Sequence, residues 1–509
     1  MTDVTVTPEV RTAAGAVRGR WEDGLAVFRG IPFAAPPVGE ARFAAPRPVA
    51  GWDGVREAFA FGPAAPQDLA GFRPAGVDVP APPPGDDWLT VNVWTPAPDP
   101  AARRPVMVWI HGGAYKLGSS AQGGYDARRI AADGDLVVVS CNYRLGVEGF
   151  AEIAGAPANR ALLDQVAALT WVRDNIAGFG GDPDQVTVFG ESAGGGSVAA
   201  LLAMPAAAGL FRRAIAQSVP GTFLSPELAL DVTAAIAAHR GLRPTAADLS
   251  TVEPHELALA GEAAAATVRQ HVDRWGQLAH ADTFFAPVVD GEVLPVTPWQ
   301  ALAGGASRDV DLITGHNREE CRLFMGMLGR LGKITEEDAA WALRAFAPGS
   351  ADYRTAFPSA SAEELYERVQ SDWLFRMPTL RLAESHAAGG GRAYLYELTW
   401  PAPGVGGRFG ACHGLDIPLL FGTLDADLGL LLIGQDPPAE THELSARFRT
   451  AWTAFATTGD PGWPAFDEER RLTQVFDAVP EVTAYPEETS RQLWQDEEFT
   501  PLPLLGGSH

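Results

Sequence analysis

Residues 186–202 read VTVFGESAGGGSVAALL: a β-branched and aromatic run, a glycine, a serine, and then a small-residue helical pattern. The spacing predicts a strand over QVTVFG (185–190) and a helix from about Ala193, with Ser192 on the corner between them. The pattern Gly-Glu-Ser-Ala-Gly at 190–194 is a G-x-S-x-G. Its meaning comes from the strand before it and the helix after it, the setting in which a serine hydroxyl is lifted clear of the sheet on a sharp turn. Such a corner strains the serine backbone, and glycine two residues to either side lets neighbouring backbone pass without a Cβ clash. The free N–H groups of the helix that opens beneath the serine favour an anion forming there.

Working outward, strand-like and helix-like runs alternate. PVMVWI (105–110) and DLVVVSCNYR (135–144) read as buried strands. ALLDQVAALTWVRDNIAGF (161–179) carries Leu162, Val166, Leu169, Val172 and Ile176 at helical spacing, and GGDP follows as a stop. The alternation predicts an α/β architecture, a central mostly parallel sheet with helices on both faces. Catalytic groups in such sheets sit at the carboxyl ends of strands, where both His111 and Ser192 fall. Two alanine- and charge-rich helical stretches, about 222–280 and 325–388, read as cap-like insertions over the top edge of one domain spanning 1–509. Residues 63–85 hold seven prolines, from Pro63 to Pro84, and read as a stiff loop over the site.

A serine hydroxyl attacks only when a base takes its proton, and the base needs an acid behind it. His413, in FGACHGLDIPLLFG, is the favoured base, because the order serine, acid, histidine requires a histidine late in the chain. His316, in LITGHNREECRLF, competes, and most other histidines fall in polar helical segments that read as surface. HGGAY (111–115) follows a strand with small residues whose bare N–H groups can meet on one oxygen, and the N–H of Ala193 completes such a set. His111 itself reads as structural. The residues alone leave the acid open.

Composition narrows the class. The net charge is -24 with no basic run, and lysine occurs only at 116 and 333, which argues against nucleic acid and anionic membranes as partners. Cys141, Cys321 and Cys412 are too few for a disulfide framework and lack zinc-site spacing. The first residues, MTDVTVTPEVRTAAGAVRG, lack the pattern of a secretory signal, and no apolar run reaches eighteen residues; a cytoplasmic protein is the expectation.

The residues also carry a family resemblance. FRGIPFAAPPVGEARFAAPRP (28–48), DDWLTVNVWTP (86–96), VMVWIHGGAYKLGS (106–119), NYRLGVEGF (142–150), the long block 162–198, APVVDGE (286–292), GACHGLDIPLLFG (410–422) and FATTGDPGWPAF (455–466) stand in order along the chain. Together they resemble the type B carboxylesterases of the α/β-hydrolase fold, in particular their para-nitrobenzyl-esterase-like bacterial branch. The resemblance implies Ser192 as nucleophile, His413 as base and Glu320, rather than Glu319, as the acid. It implies Gly113, Ala114 and Ala193 as oxyanion donors, with no cofactor and no metal. It implies hydrolysis of short- to medium-chain acyl or aryl esters, with acyl transfer or amide or carbamate cleavage on the same triad as the alternative. The partner is a small-molecule ester, and the expected state is a monomer or weak homo-oligomer. Two departures stand out. Trp88 occupies the position of a cysteine in eukaryotic members, and Val219 replaces a glycine near the acyl pocket of relatives. Phe72, Phe223, Phe324 and Phe375 are expected to make the pocket apolar, and Cys321 and Cys412, each beside a member of the triad, are expected to be packing residues.

Overall fold

A computed structural model of the chain describes residues 7–69, 83–281, 284–349 and 351–506. Its main sheet has eleven strands. In chain order these are β1 (Arg20–Glu22), β2 (Leu25–Pro32), β3 (Thr90–Thr95), β4 (Arg104–Ile110), β5 (Val137–Cys141), β6 (Gly181–Glu191), β7 (Arg213–Gln217), β8 (Asp311–Asn317), β9 (Ala393–Leu398), β10 (Leu472–Phe476) and β11 (Glu481–Ala484). Across the sheet the order is β11-β10-β9-β8-β7-β6-β4-β5-β3-β2-β1. The run from β10 to β5 is parallel, and the outer strands are antiparallel. A separate three-stranded sheet joins Glu9–Arg11, Ala16–Arg18 and Val55–Glu57.

The central strands carry mostly apolar middles because both faces are covered. Period-two alternation then divides their side chains between two cores. Val106, Val108, Ile110, Val186 and Val188 face one core, shared with the helices α1 (Arg160–Asn175) and α2 (Ala193–Ala203). Met107, Trp109 and Phe189 face the other, where they meet Phe448, Trp452 and Phe455.

One sequence boundary moves. GGDP reads as a stop, yet β6 starts at Gly181, not at Gln185. Gly180 alone ends the preceding helical turn, at φ 85 with a left-handed backbone, and Gly181 already pairs in register with Arg104 of β4. Asp-Pro is tolerated there because the first residues of the strand lie toward the sheet's end.

The first insertion carries α3 (Pro226–Ala238) and α4 (Pro254–Ala265), with short helices between and after them. The second carries α5 (Glu336–Phe346), α6 (Ala362–Ser371) and α7 (Met377–Ala388). Capping boxes start two of these, Thr335 with Asp338 on α5 and Ser361 with Glu364 on α6. Within the second insertion α7 packs on β8 and β9 as the crossover between two parallel neighbours. A five-residue π turn, Asp372–Arg376, joins α6 to α7. Of the proline-rich loop, residues 70–82 and with them Phe72 lie outside the described residues.

Candidate active site

The carboxyl ends of β4, β6, β7 and β8 deliver the site. Ser192 follows β6 with φ 58 and ψ -123, a backbone region in which a side chain is strained. The crowding around it explains its glycines. A Cβ on Gly194 would lie 2.1 Å from the carbonyl oxygen of Ile110, and one on Gly195 would lie 2.3 Å from that of Gln217. On Gly196 it would lie 2.2 Å from the Tyr115 hydroxyl, and on Gly190 2.7 Å from the backbone of Gly194. The helix α2 is thus pressed between β4 and β7, with Ser192 donating its N–H to Gln217 O at 3.0 Å.

The loop after β4 passes directly over this corner. A Cβ on Gly112 would lie 3.2 Å from the Ser192 Cβ. Gly113, Ala114 and Tyr115 have φ of 115, 54 and 60 in succession, and only glycine fits at 113, where a Cβ would meet Leu117 O at 2.2 Å. The turn is tied by Lys116 and Leu117, whose N–H groups donate to Gly113 O at 3.1 and 2.9 Å. His111 is buried beneath the loop, stacked on Tyr143 with ring centroids 4.5 Å apart; burial, only partly offset by the hydrogen bond to Gly112, lowers its pKa to about 4.

His413 and Glu320 meet on the β8 side. His413 Nδ1 lies 2.6 Å from Glu320 Oε2. A carboxylate only accepts, so Nδ1 carries the hydrogen and Nε2 is left to receive a proton. The other oxygen of Glu320 accepts from Ser218 Oγ at 2.6 Å and from Asn317 N at 2.8 Å. Glu319 faces elsewhere and accepts from Ala411 N at 2.8 Å. Phe324 and Phe375 flank the imidazole, with ring centroids 5.2 and 4.3 Å away. The other expected aromatic, Phe223, packs into the core against Trp299 instead, 5.3 Å between centroids.

Sequence reasoning passes over a ring of buried polar groups behind these residues. Glu191, the variable position of the motif, puts Oε1 3.2 Å from His413 Nε2. Burial drives Glu191 up to about 8, with His413 pulling it back down. For His413 burial favours the neutral ring, but the carboxylates of Glu191 and Glu320 outweigh it and raise the imidazole to about 9. The titrations of the two groups are therefore linked. Asp416, three residues beyond His413 and fully buried, accepts from Gln217 Nε2 at 2.5 Å and from the Tyr396 hydroxyl at 3.1 Å; burial raises its pKa. Glu191, Gln217 and Asn317 share one readable signal, a polar residue at the carboxyl end of a strand.

The competing histidines are accounted for. His316 is fully buried, with Nε2 3.0 Å from the Tyr485 hydroxyl, and does not approach Ser192 through any described contact. His386 is buried too, contrary to the surface reading of its helix, with Nε2 2.8 Å from Val310 O. The three cysteines are buried. Among the described residues no group of three His, Cys, Asp or Glu side chains has metal-binding geometry, and no helix is long and apolar enough to cross a membrane.

Comparisons with known proteins give the family. The family model for the carboxylesterase family matches residues 6–494. The para-nitrobenzyl esterase of Bacillus subtilis is 37% identical over 497 residues, covering 95% of this chain and 97% of that protein. The phenmedipham hydrolase of Pseudarthrobacter oxydans is 36% identical over 479 residues, covering 90% of this chain and 93% of that protein. Among solved structures, a PNB esterase superposes with a TM-score of 0.83 at 35% identity, over 96% of this chain and 99% of that one. The EST55 carboxylesterase of Geobacillus stearothermophilus gives 0.82 at 36%, over 96% and 100%. The architecture is that of the α/β-hydrolases, and the chain belongs to the carboxylesterase family.

Proposed function

We propose that this carboxylesterase hydrolyses short- to medium-chain acyl or aryl esters through Ser192, His413 and Glu320. The observation that carries the reading is the 2.6 Å contact of Glu320 with His413 Nδ1, which turns Nε2 the other way, toward Glu191, the residue before Ser192, at 3.2 Å. Ser192 Oγ attacks the ester carbonyl while His413 Nε2 takes its proton, and Glu320 steadies the imidazolium. The N–H groups of Gly113, Ala114 and Ala193 receive the oxyanion, each such donor contributing roughly a hundred- to a thousand-fold in rate. The imidazolium then protonates the departing alcohol. Water, deprotonated by the same nitrogen, cleaves the acyl-enzyme and frees Ser192. Neither cofactor nor metal enters this sequence.

The same proposal has the chain acting as a monomer or weak homo-oligomer in the cytoplasm. Sedimentation and cell fractionation test those two points. Hydrolysis of p-nitrophenyl esters across acyl lengths, for wild type beside Ser192→Ala, tests the chemistry. Turnover that disappears in the variant is expected, and a folded wild type with no turnover on any ester refutes it. A second reading, amide or carbamate cleavage on the same groups, is favoured by the phenmedipham hydrolase relative. Phenmedipham itself is the substrate that tests it.

A further inference from the structure

The π turn Asp372–Arg376 is a departure from helical regularity at a place where three parts of the site meet. π turns cost hydrogen-bond geometry and persist where the surroundings hold them. Here they are held tightly. Arg376, only 1% exposed, binds Asp372 through Nε at 2.8 Å and Nη2 at 2.5 Å, and its Nη1 lies 3.3 Å from Glu487. Tyr353 donates to the other oxygen of Asp372 at 2.7 Å.

Each end of the turn grips a segment of the site. Arg376 Nη1 donates to Arg318 O at 3.1 Å, and Cys321 N donates to Ser371 Oγ at 3.0 Å, so both sides of the Glu320 turn are anchored. Pro378 has no N–H to give Leu374 O, the carbonyl four residues before it, and Gly221 N takes that carbonyl at 2.7 Å. Val219 N donates to Thr379 Oγ1 at 3.0 Å. Gly221 must be glycine for this, since a Cβ there would lie 2.7 Å from Pro378 Cγ. Between the grips, Phe375 is 3% exposed and lies against His413.

Strand order says which substrate group this element faces. The loop Ser218–Gly221 follows β7, and the loop bearing Gly113 and Ala114 follows β4, on the opposite flank of β6. With the carbonyl oxygen on the β4 flank and the leaving alcohol at His413 Nε2, the β7 flank is left for the acyl chain.

We propose that the π turn is the acyl-selectivity element of this site, with Phe375 as the wall that limits acyl length. This rests on the roles assigned above to Ser192, His413 and the oxyanion loop. The bulge sets Phe375 against His413 and, through Leu374 O, next to the Ser218–Gly221 loop; one residue fewer would rotate the ring about 100° around the helix axis and take it away from both. Phe375 does no chemistry, so its substitution changes which acyl groups are accepted.

The test measures kcat/KM for p-nitrophenyl acetate, butyrate, octanoate and decanoate with the full chain and with Phe375→Ala, and for acetates of several alcohols with the same pair. Phe375→Leu is the second variant should the alanine form not fold. The ratio of octanoate to acetate should rise about tenfold or more in Phe375→Ala, since each methylene in an apolar pocket is worth about 10-fold or more. Phe375→Leu should fall between the two, and ranking among alcohols should stay within about twofold. A uniform loss on all acyl lengths, or a change confined to the alcohol series, overturns the proposal. Wild-type turnover that survives in Ser192→Ala would instead remove the reading on which it rests.

Discussion

Replacing Glu191 by glutamine isolates the charge next to the base while keeping size and shape. Its Oε1 lies 3.2 Å from His413 Nε2 without hydrogen-bond alignment, so the interaction is chiefly one of charge. Two unit charges at that distance, at an effective dielectric constant of about 20, interact by about 5 kcal/mol. At 1.36 kcal/mol per unit this bounds the shift at about 4 pKa units. Glu191 itself titrates at about 8, below the imidazole at about 9, so most of that charge is present when His413 loses its proton. A shift of about 1–2 units is expected, within the usual range for one close opposite charge. The sign follows from the chemistry. Attack needs the neutral imidazole, and the carboxylates hold its pKa up at about 9, so the acid limb of wild type stands above the ordinary histidine range. Glu191→Gln lowers that pKa and moves the limb to lower pH. Below the limb, the rate relative to its own plateau should rise about 10- to 100-fold. The assay is kcat/KM for phenyl acetate by pH-stat from about pH 5 to 9, with Glu191→Asp keeping the charge as control. A limb that stays in place, or moves upward, refutes the assignment of this carboxylate as the group that sets the base's pKa.

Three further outcomes follow from the same geometry. Glu320→Gln should lower kcat by about 10³- to 10⁴-fold by releasing the His413 tautomer, whereas Glu319→Gln, whose carboxylate holds Ala411 N, should stay within about tenfold in parallel kinetics. Ser218→Ala removes a 2.6 Å donor to Glu320 and should cost about tenfold in kcat/KM, the worth of one hydrogen bond to a charged group. His316 is buried with its pKa lowered to about 4, so the neutral ring's contribution is full above about pH 6.5 and is lost as pH falls toward 4. His316→Gln should flatten that acid loss by up to about 3 kcal/mol, read by denaturant unfolding at pH 7 and about 4.5.

Much of the site is legible because its chemistry needs local patterns. The Ser192 corner announces itself through glycines that crowd against Ile110 O and Gln217 O, and those close approaches leave no other residue type. The strands β4 and β6 are legible because burial on both faces demands unbroken apolar runs. What is not legible is pairing across long separations. Nothing local distinguishes Glu320 from Glu319; the choice is made by which carboxylate the β8 turn aims at a loop 93 residues later. Glu191 and Asp416 look like ordinary polar positions until the fold buries them around one imidazole.

Four side-chain-bearing residues at the site, Ala114, Tyr115, Ser192 and Ser218, sit at φ between 49 and 60, where glycine rests without cost. Each such residue costs the folded state about 1–3 kcal/mol. Selection for thermal stability alone would therefore favour glycine at 192 and so enrich inactive proteins. A library screened for expression or melting temperature should lose activity at these four positions before it loses anything else. Thermostable variants that remain active would then have to gain their stability away from these positions, in the helices and edges that the chemistry leaves free.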